Sequence, residues 1–273
     1  MKQQLFILLL LTASIFSACK DEKDTQPIIS PFPNVSQITL SETISSDGGN
    51  VSVKDVYLFT DNKLFSHSTV QEFYGQELTQ EINCSYANDK AIFTDNNENI
   101  ATYTLGSNGY ATQCTYQMAN QTREYRFIYS NDYLTQIEED IDGVPYTSIT
   151  LQYSNGNLQT ICNNALKILC ETGNDLNKYQ LPCSYLSDVY PLSLHVNAIY
   201  ARLLGKQSDH LVIRTAPENN DKEWTDYIYQ LDTNNKPTTI NIATTSTGTV
   251  YDKYGNQSEV TRTDRRSIKV SIE

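Results

Sequence analysis

The sequence predicts an all-β protein: an antiparallel meander of hairpins forming a curved sheet or barrel-like domain, with one short helix near residues 192–205. Three observations carry this. Short segments alternate apolar and polar residues with period two, Asn-Asp and Asn-Gly corners recur between them, and one late stretch switches to helical spacing. Alternation along every second residue marks strands with one packed and one wetter face.

Residues 1–18 are expected to be a signal peptide, 19–36 a lipidated cysteine and flexible tether, and 37–273 a single β domain. Lys2 precedes an apolar run from Leu5 to Phe16, followed by Ser17-Ala18-Cys19, the layout of an export signal. Leu5 to Ala18 is 14 residues, short of the roughly 20 a membrane-spanning helix needs. Bulky Phe16 disfavours ordinary cleavage after Ala18, so Cys19 is expected to carry lipid. The next stretch, Lys20-Asp21-Glu22-Lys23-Asp24 and then Pro27, Pro31 and Pro33, has the composition of an extended tether.

Beyond it, Tyr110, Thr112, Cys114 and Tyr116 share one strand face; Tyr125, Phe127 and Tyr129 share another; Thr147, Ile149, Leu151 and Tyr153 a third. Two corners have one frame, Tyr129-Ser-Asn131-Asp132-Tyr-Leu134-Thr-Gln-Ile137 and Tyr153-Ser-Asn155-Gly156-Asn-Leu158-Gln-Thr-Ile161. Looser copies run from Leu105 to Tyr110 and from Tyr229 to Ile240. Such corners supply the positive φ angles of tight hairpins. Between Leu192 and Gly205, Val196, Ile199, Tyr200, Leu203 and Leu204 recur at three and four, an amphipathic helix that covers a sheet or plugs a barrel mouth. Strands then resume over His210–Thr215, Trp224–Leu231, Pro237–Thr244 and Glu259–Ile272.

The chain has 20 basic and 32 acidic residues; loss of Lys2 with the leader leaves 19 against 32, a formal charge of −13. That balance repels phosphate backbones and argues against nucleic acid as a partner. Apart from Cys19 there are five cysteines. Cys84 and Cys114 are expected to be buried thiols; Cys162, Cys170 and Cys183 leave room for one bridge and match no zinc spacing.

His67, His195 and His210 lie far apart in no metal-binding frame, with His195 expected on the helix and His210 at a strand start. No serine-nucleophile elbow or phosphate-binding glycine loop is present, and no metal or cofactor is expected. The run Glu138-Glu139-Asp140-Ile141-Asp142-Gly143 invites a calcium reading, but Ile149 stands where an EF-hand places its closing Glu, so a hairpin turn with solvated acids is favoured. Paired carboxylates for glycoside cleavage depend on spatial separation, which leaves hydrolysis as a minor alternative. Tyr74, Tyr146, Trp224 and Tyr227 are the candidate exposed platforms for stacking on sugar rings, against the ordinary cross-strand packing of tyrosine. A membrane pore is not expected, because Glu124 and Arg126 oppose the aromatic face of their strand where a membrane barrel needs an apolar outward band.

The Cys19 junction, the acidic run after it, the two hairpin frames, Leu203-Leu204-Gly205-Lys206-Gln207-Ser208 and Lys236-Pro237-Thr238-Thr239-Ile240 together resemble a Bacteroidota lipoprotein family, a domain of unknown function with a porin-like β fold. The resemblance covers residues 37 to 273 and departs from the hairpin form at Tyr86-Ala-Asn-Asp89-Lys-Ala-Ile92, where the Leu is missing. It implies fold and brings no catalytic residue. It also implies an address: Lys20, Asp21 and Glu22 resemble the signal that sends such lipoproteins to the outer face of the outer membrane. The resulting expectation is a surface-anchored, non-enzymatic structural or interaction protein, tied to the membrane through Cys19. The alternative is a module that binds glycan or a small ligand for polysaccharide uptake, or an envelope protein partner.

Cys19→Ser is expected to abolish incorporation of a radiolabelled fatty acid in cells. Unchanged labelling would refute the lipid anchor.

Overall fold

The computed structural model describes residues 34–46, 49–118, 121–163, 166–251 and 254–273; Cys19, Lys20, Asp21 and Glu22 lie outside them. The strands are β1 (Gln37–Ser46), β2 (Gly49–Thr60), β3 (Lys63–Phe73), β4 (Gln76–Ala87), β5 (Lys90–Asp95), β6 (Ile100–Leu105), β7 (Ala111–Met118) and β8 (Gln121–Ser130). They continue as β9 (Tyr133–Ile141), β10 (Val144–Ser154), β11 (Asn157–Asn163), β12 (Lys167–Leu176), β13 (His210–Pro217), β14 (Glu223–Leu231), β15 (Pro237–Tyr251) and β16 (Gln257–Ile272). Each strand pairs antiparallel with its sequence neighbour, and β1 pairs with β16, so the meander closes into a barrel. Closure leaves no free sheet edge.

The two-residue corners do what their composition dictates. Asp61-Asn62, Asn131-Asp132 and Asn155-Gly156 all take positive φ at both positions, the backbone of a type I′ hairpin turn whose twist matches that of the strands it joins. The departing frame at Tyr86–Ile92 still turns, with φ of 54° at Asn88.

Register sorts the side chains. Ile38, Tyr57, Ala91, Phe93, Tyr103, Cys114, Tyr125, Phe127, Ile137, Ile149, Leu151 and Ile161 face inward and are buried. The outward positions carry ion pairs and hydroxyl ladders: Arg126 reaches Glu138 and Asp140 at 2.9 Å each, Arg214 reaches Asp226 at 2.6 Å, and Thr245 meets Thr263 at 3.1 Å. A membrane barrel has the opposite arrangement, apolar outside and polar within.

Hairpins β2/β3, β4/β5, β6/β7, β8/β9, β10/β11 and β14/β15 turn at one end of the barrel. The first strand also starts there: Ser36 N–H donates to Glu273 O at 2.6 Å and Phe59 N–H to Ser36 O at 2.8 Å. The connection from β12 to β13, residues 177–209, folds into the lumen at this end and closes it. Its only α-helix, α1 (Val196–Tyr200), is much shorter than the sequence pattern suggests; 3-10 turns at Ser184–Ser187 and Leu192–His195 make up much of the rest. The helix stops at Ala201 because Arg202 and then Gly205 take φ of 60° and 81°, a left-handed conformation that cannot continue an α-helix. Beyond it, backbone bonds stitch the segment to successive hairpins: Ala111 N–H to Leu203 O at 2.7 Å, Lys206 N–H to Asp132 O at 2.9 Å and Asp209 N–H to Gly156 O at 2.9 Å.

Among the described residues no segment covers the opposite end. There β15 runs on to Tyr251, well past its expected end at Thr244, and pairs throughout with β16, which begins at Gln257, close to the expected Glu259. All five cysteines among the described residues are free, so the bridge allowed for Cys162, Cys170 and Cys183 is not made. Burial holds the Cys84, Cys114 and Cys183 thiols up at about 12, which keeps them protonated and inert.

Gly156 stands at a hairpin corner with φ of 77°, and a Cβ there would lie 1.9 Å from Asp209 Oδ2. Gly156→Val is expected to lower stability by about 1 to 3 kcal/mol, read by denaturant unfolding; a midpoint equal to wild type would exclude the corner.

Candidate functional site

The luminal segment forms the floor of a cavity, and two buried clusters fix its position. Glu139 faces inward on β9 and is 1% exposed. Its Oε1 accepts from Arg123 at 2.9 Å and from the Tyr125 hydroxyl at 3.0 Å; the Tyr190 hydroxyl, on the luminal segment, donates to it at 2.5 Å. A carboxylate out of water is tolerable only when paired and hydrogen-bonded in this way. Nearby, His195 is enclosed by the rings of Tyr103, Tyr125 and Phe127, and its Nδ1 shares a 2.8 Å hydrogen bond with the Tyr103 hydroxyl. Burial among aromatic rings drives its pKa down to about 3, so it is neutral.

Between this floor and the open end lies a cavity of about 560 Å³, within the range of small-ligand sites. Its wall is amphipathic. Leu40, Val53, Ile242 and Ile268 supply apolar surface from four strands, while Tyr185, Val196, Ile199 and Tyr200 rise from the floor. Tyr57 is sandwiched between His67 and Tyr200, with ring centroids 4.1 and 4.0 Å away, which ties the floor to β2 and β3. Polar groups are interleaved with this surface. Arg266 grips both oxygens of Glu42, at 2.7 and 2.8 Å. Asp55 Oδ1 accepts from Thr69 at 2.6 Å and meets His67 Nε2 at 3.1 Å; His67 is 8% exposed and its Nδ1 is buried without a partner. Asp188, at the end of the Ser184–Ser187 turn, has an exposed side chain, and its carboxyl pKa is raised, mainly by partial loss of water and against the pull of Arg266. Among the described residues no set of three or more His, Cys, Asp or Glu side chains converges for a metal ion.

The four aromatic residues singled out from the sequence do not form one platform. Tyr74 and Tyr146 are well exposed, at a turn and on β10; Trp224, on β14, is half-buried with Nε1 donating to Asp226 at 3.0 Å. Tyr227 is no exposed platform: only 4% of it is accessible, because register with Ile242 turns it inward, where it lines the cavity. Likewise the acids at Glu138–Gly143 are not all solvated. Glu138 and Asp140 pair with Arg126 outside, but Glu139 lies on the face of Ile137 and is sealed within. Parity with Ile137 was the available signal. For Glu42, Asp55, Asp188 and Arg266 no local signal exists, since strands over 200 residues apart bring them to one place.

Comparison with known proteins agrees with this architecture. Residues 59–239 match a family model described as a domain of unknown function (DUF4595) with porin-like fold. A crystal structure of a porin-like protein from Bacteroides uniformis is similar with a TM-score of 0.77 and 31% identity, covering 89% of this chain and 98% of that one. No curated protein matches.

The His195 environment sets a pH signature. Its folded pKa of about 3 lies below the roughly 6.5 of an unfolded histidine, so between these values the unfolded chain binds the extra proton. The stability gained from a neutral His195 is therefore fully present above pH 6.5 and declines toward pH 3, by up to about 1.4 kcal/mol per pH unit. His195→Gln is expected to flatten that part of the acid slope in urea unfolding between pH 7 and 4; an unaltered slope would show that His195 is not the buried neutral group.

Proposed function

Since the chain belongs to the DUF4595 family of domains with a porin-like fold, its barrel is the working part, and we propose that it is a non-enzymatic, lipid-anchored module of the outer membrane that holds a glycan or other small ligand in its open mouth. The observation that carries this is the cavity of about 560 Å³ left between the luminal segment and the open end. A barrel serving only as a structural spacer has no reason to keep such a space unfilled, because each unfilled void forfeits packing contacts.

With Lys20, Asp21 and Glu22 acting as the surface address and Cys19 as the anchor, the barrel would stand in the medium outside the cell. Charged pairs on the outward face favour a barrel in water over one in lipid.

A pocket with carboxylates is also what hydrolysis would use. Two of the four acids are committed, Glu42 to Arg266 and Asp55 to Thr69 and His67. That leaves Asp188 and, at the rim, Glu223, which accepts from Asn220 at 3.3 Å. Binding rather than turnover suits such a set.

Mature chain made soluble by Cys19→Ser is expected to gain thermal stability from at least one member of a glycan and small-molecule panel, without turnover. Thr244→Trp, which fills the mouth, should remove that gain. Ligands indifferent to Thr244→Trp, or none at all, would overturn the proposal.

A further inference from the structure

Ring closure removes the free edges of the wall itself, but one hairpin outgrows the wall. β15 and β16 pair with each other from Thr239 with Lys269 to Tyr251 with Gln257, without a register shift. Their outer neighbours stop sooner. β14 follows β15 as far as Ser246, with one further bond from Thr247 N–H to Lys222 O at 2.7 Å. On the other side β1 meets β16 only from Ile38 with Ile272 to Glu42 with Ile268; it goes on to Ser46, but there it pairs with β2 alone. From Gln257 to Ser267, β16 therefore presents an edge that no strand among the described residues covers. At the usual rise per residue that edge is roughly 30 Å long.

Such an edge is a template for another strand, and proteins blunt it with proline, bulges, short length or repelling charges. The stretch Gln257-Ser-Glu259-Val260-Thr261-Arg262-Thr263-Asp264-Arg265-Arg266-Ser267 contains no proline, and its ladder to β15 contains no bulge. Its charges do not repel a copy of itself, because along each face they alternate in sign: Arg262, Asp264 and Arg266 on one, Glu259 and Arg265 on the other. Arg266 is held by Glu42 and Glu259 by Lys222. Among the described residues Arg262, Asp264 and Arg265, all exposed, make no ion pair and no side-chain hydrogen bond.

We infer that this edge pairs with the same edge of a second copy, the two β16 strands running antiparallel about a twofold axis at Thr263. Arg262 then faces the partner's Asp264, and the symmetry repeats the contact. Thr261 faces the partner's Arg265, and Val260 packs on the stem of the partner's Arg266. Moving the axis to Arg262 or to Asp264 would set that residue against its own copy, and like charges directly opposed are destabilising. Charge thus selects one register. A single strand on each side is smaller than the roughly 20–30 residues of a standard interface, so the dimer is expected to be weak. The inference does not depend on what the cavity holds.

The mature chain carrying Cys19→Ser is followed by sedimentation velocity from roughly 1 μM to 1 mM, the range of weak complexes. A concentration-dependent dimer is expected. Arg262→Asp and Asp264→Arg each oppose like charges at two places, and each should raise the dissociation constant at least about tenfold. Combining them restores opposite charges and should return the constant to within about threefold of the parent. Near-ultraviolet dichroism of each variant checks that the barrel is intact. Hydrogen exchange along Gln257–Ser267 should slow with rising concentration in the parent and the combined variant, and in neither single variant. A monomer throughout, a dimer indifferent to the single variants, or one that the combined variant fails to restore would overturn the inference. Slow exchange along this stretch in the monomer would also overturn it, since the edge would then be covered within one chain.

Discussion

The width of the ring is the constraint from which the rest of this structure follows. Sixteen antiparallel strands enclose a lumen that, in membrane porins, is wide enough for an aqueous channel. Side chains from the wall cannot fill it, and an apolar wall cannot face an empty water column without losing the hydrophobic gain that drives folding. The chain solves this with its own residues 177–209, which enter from one end and lend the wall a second surface to pack against. Tyr200 on Tyr57, and His195 among Tyr103, Tyr125 and Phe127, are the contacts through which floor and wall become one core.

Such an insert has to be held in register with a cylinder that offers few landmarks. The Glu139 cluster supplies one: a single carboxylate joins β8, β9 and the luminal segment through Arg123, Tyr125 and Tyr190. Buried polar groups of this type contribute little net stability compared with apolar packing, but a mispositioned insert would leave a charge unpaired. The stitching of Leu203, Lys206 and Asp209 to three consecutive hairpin corners acts at the backbone level in the same sense.

Much of the fold was legible because it is local. Alternation in β7, β8 and β10, and the Asn-Asp and Asn-Gly corners after Tyr129 and Tyr153, depend on neighbours in sequence and came through as strands and turns. The helix was legible in place but not in length, since apolar residues at three and four spacing equally suit the mixed 3-10 and α turns that line a lumen. Closure was not legible as such, because the pairing of Ile38 with Ile272 leaves no trace in either segment. The cavity was hidden for the same reason. Its acids come from β1, β2, β14 and the luminal segment, and each alone reads as one more charged residue in an acidic chain. Tyr227 shows the limit from the other side: its residue type suggested a surface platform, while its parity with half-buried Tyr229, which faces buried Ile240 across the ladder, pointed inward.

The pairing of first strand with last also governs how the protein is made. β1 pairs with β2 as soon as both exist, but its other edge waits for Glu42 to meet Ile268 and Ile38 to meet Ile272, contacts that span nearly the whole domain. Closing so long a loop is slow, and until it happens β1 presents an open edge. The barrel therefore reaches its final form only after β16 has been synthesised. A polypeptide cut short within β16 would be left with two sticky edges, and the cell's quality control would meet it as an aggregation-prone intermediate rather than as a slightly smaller domain.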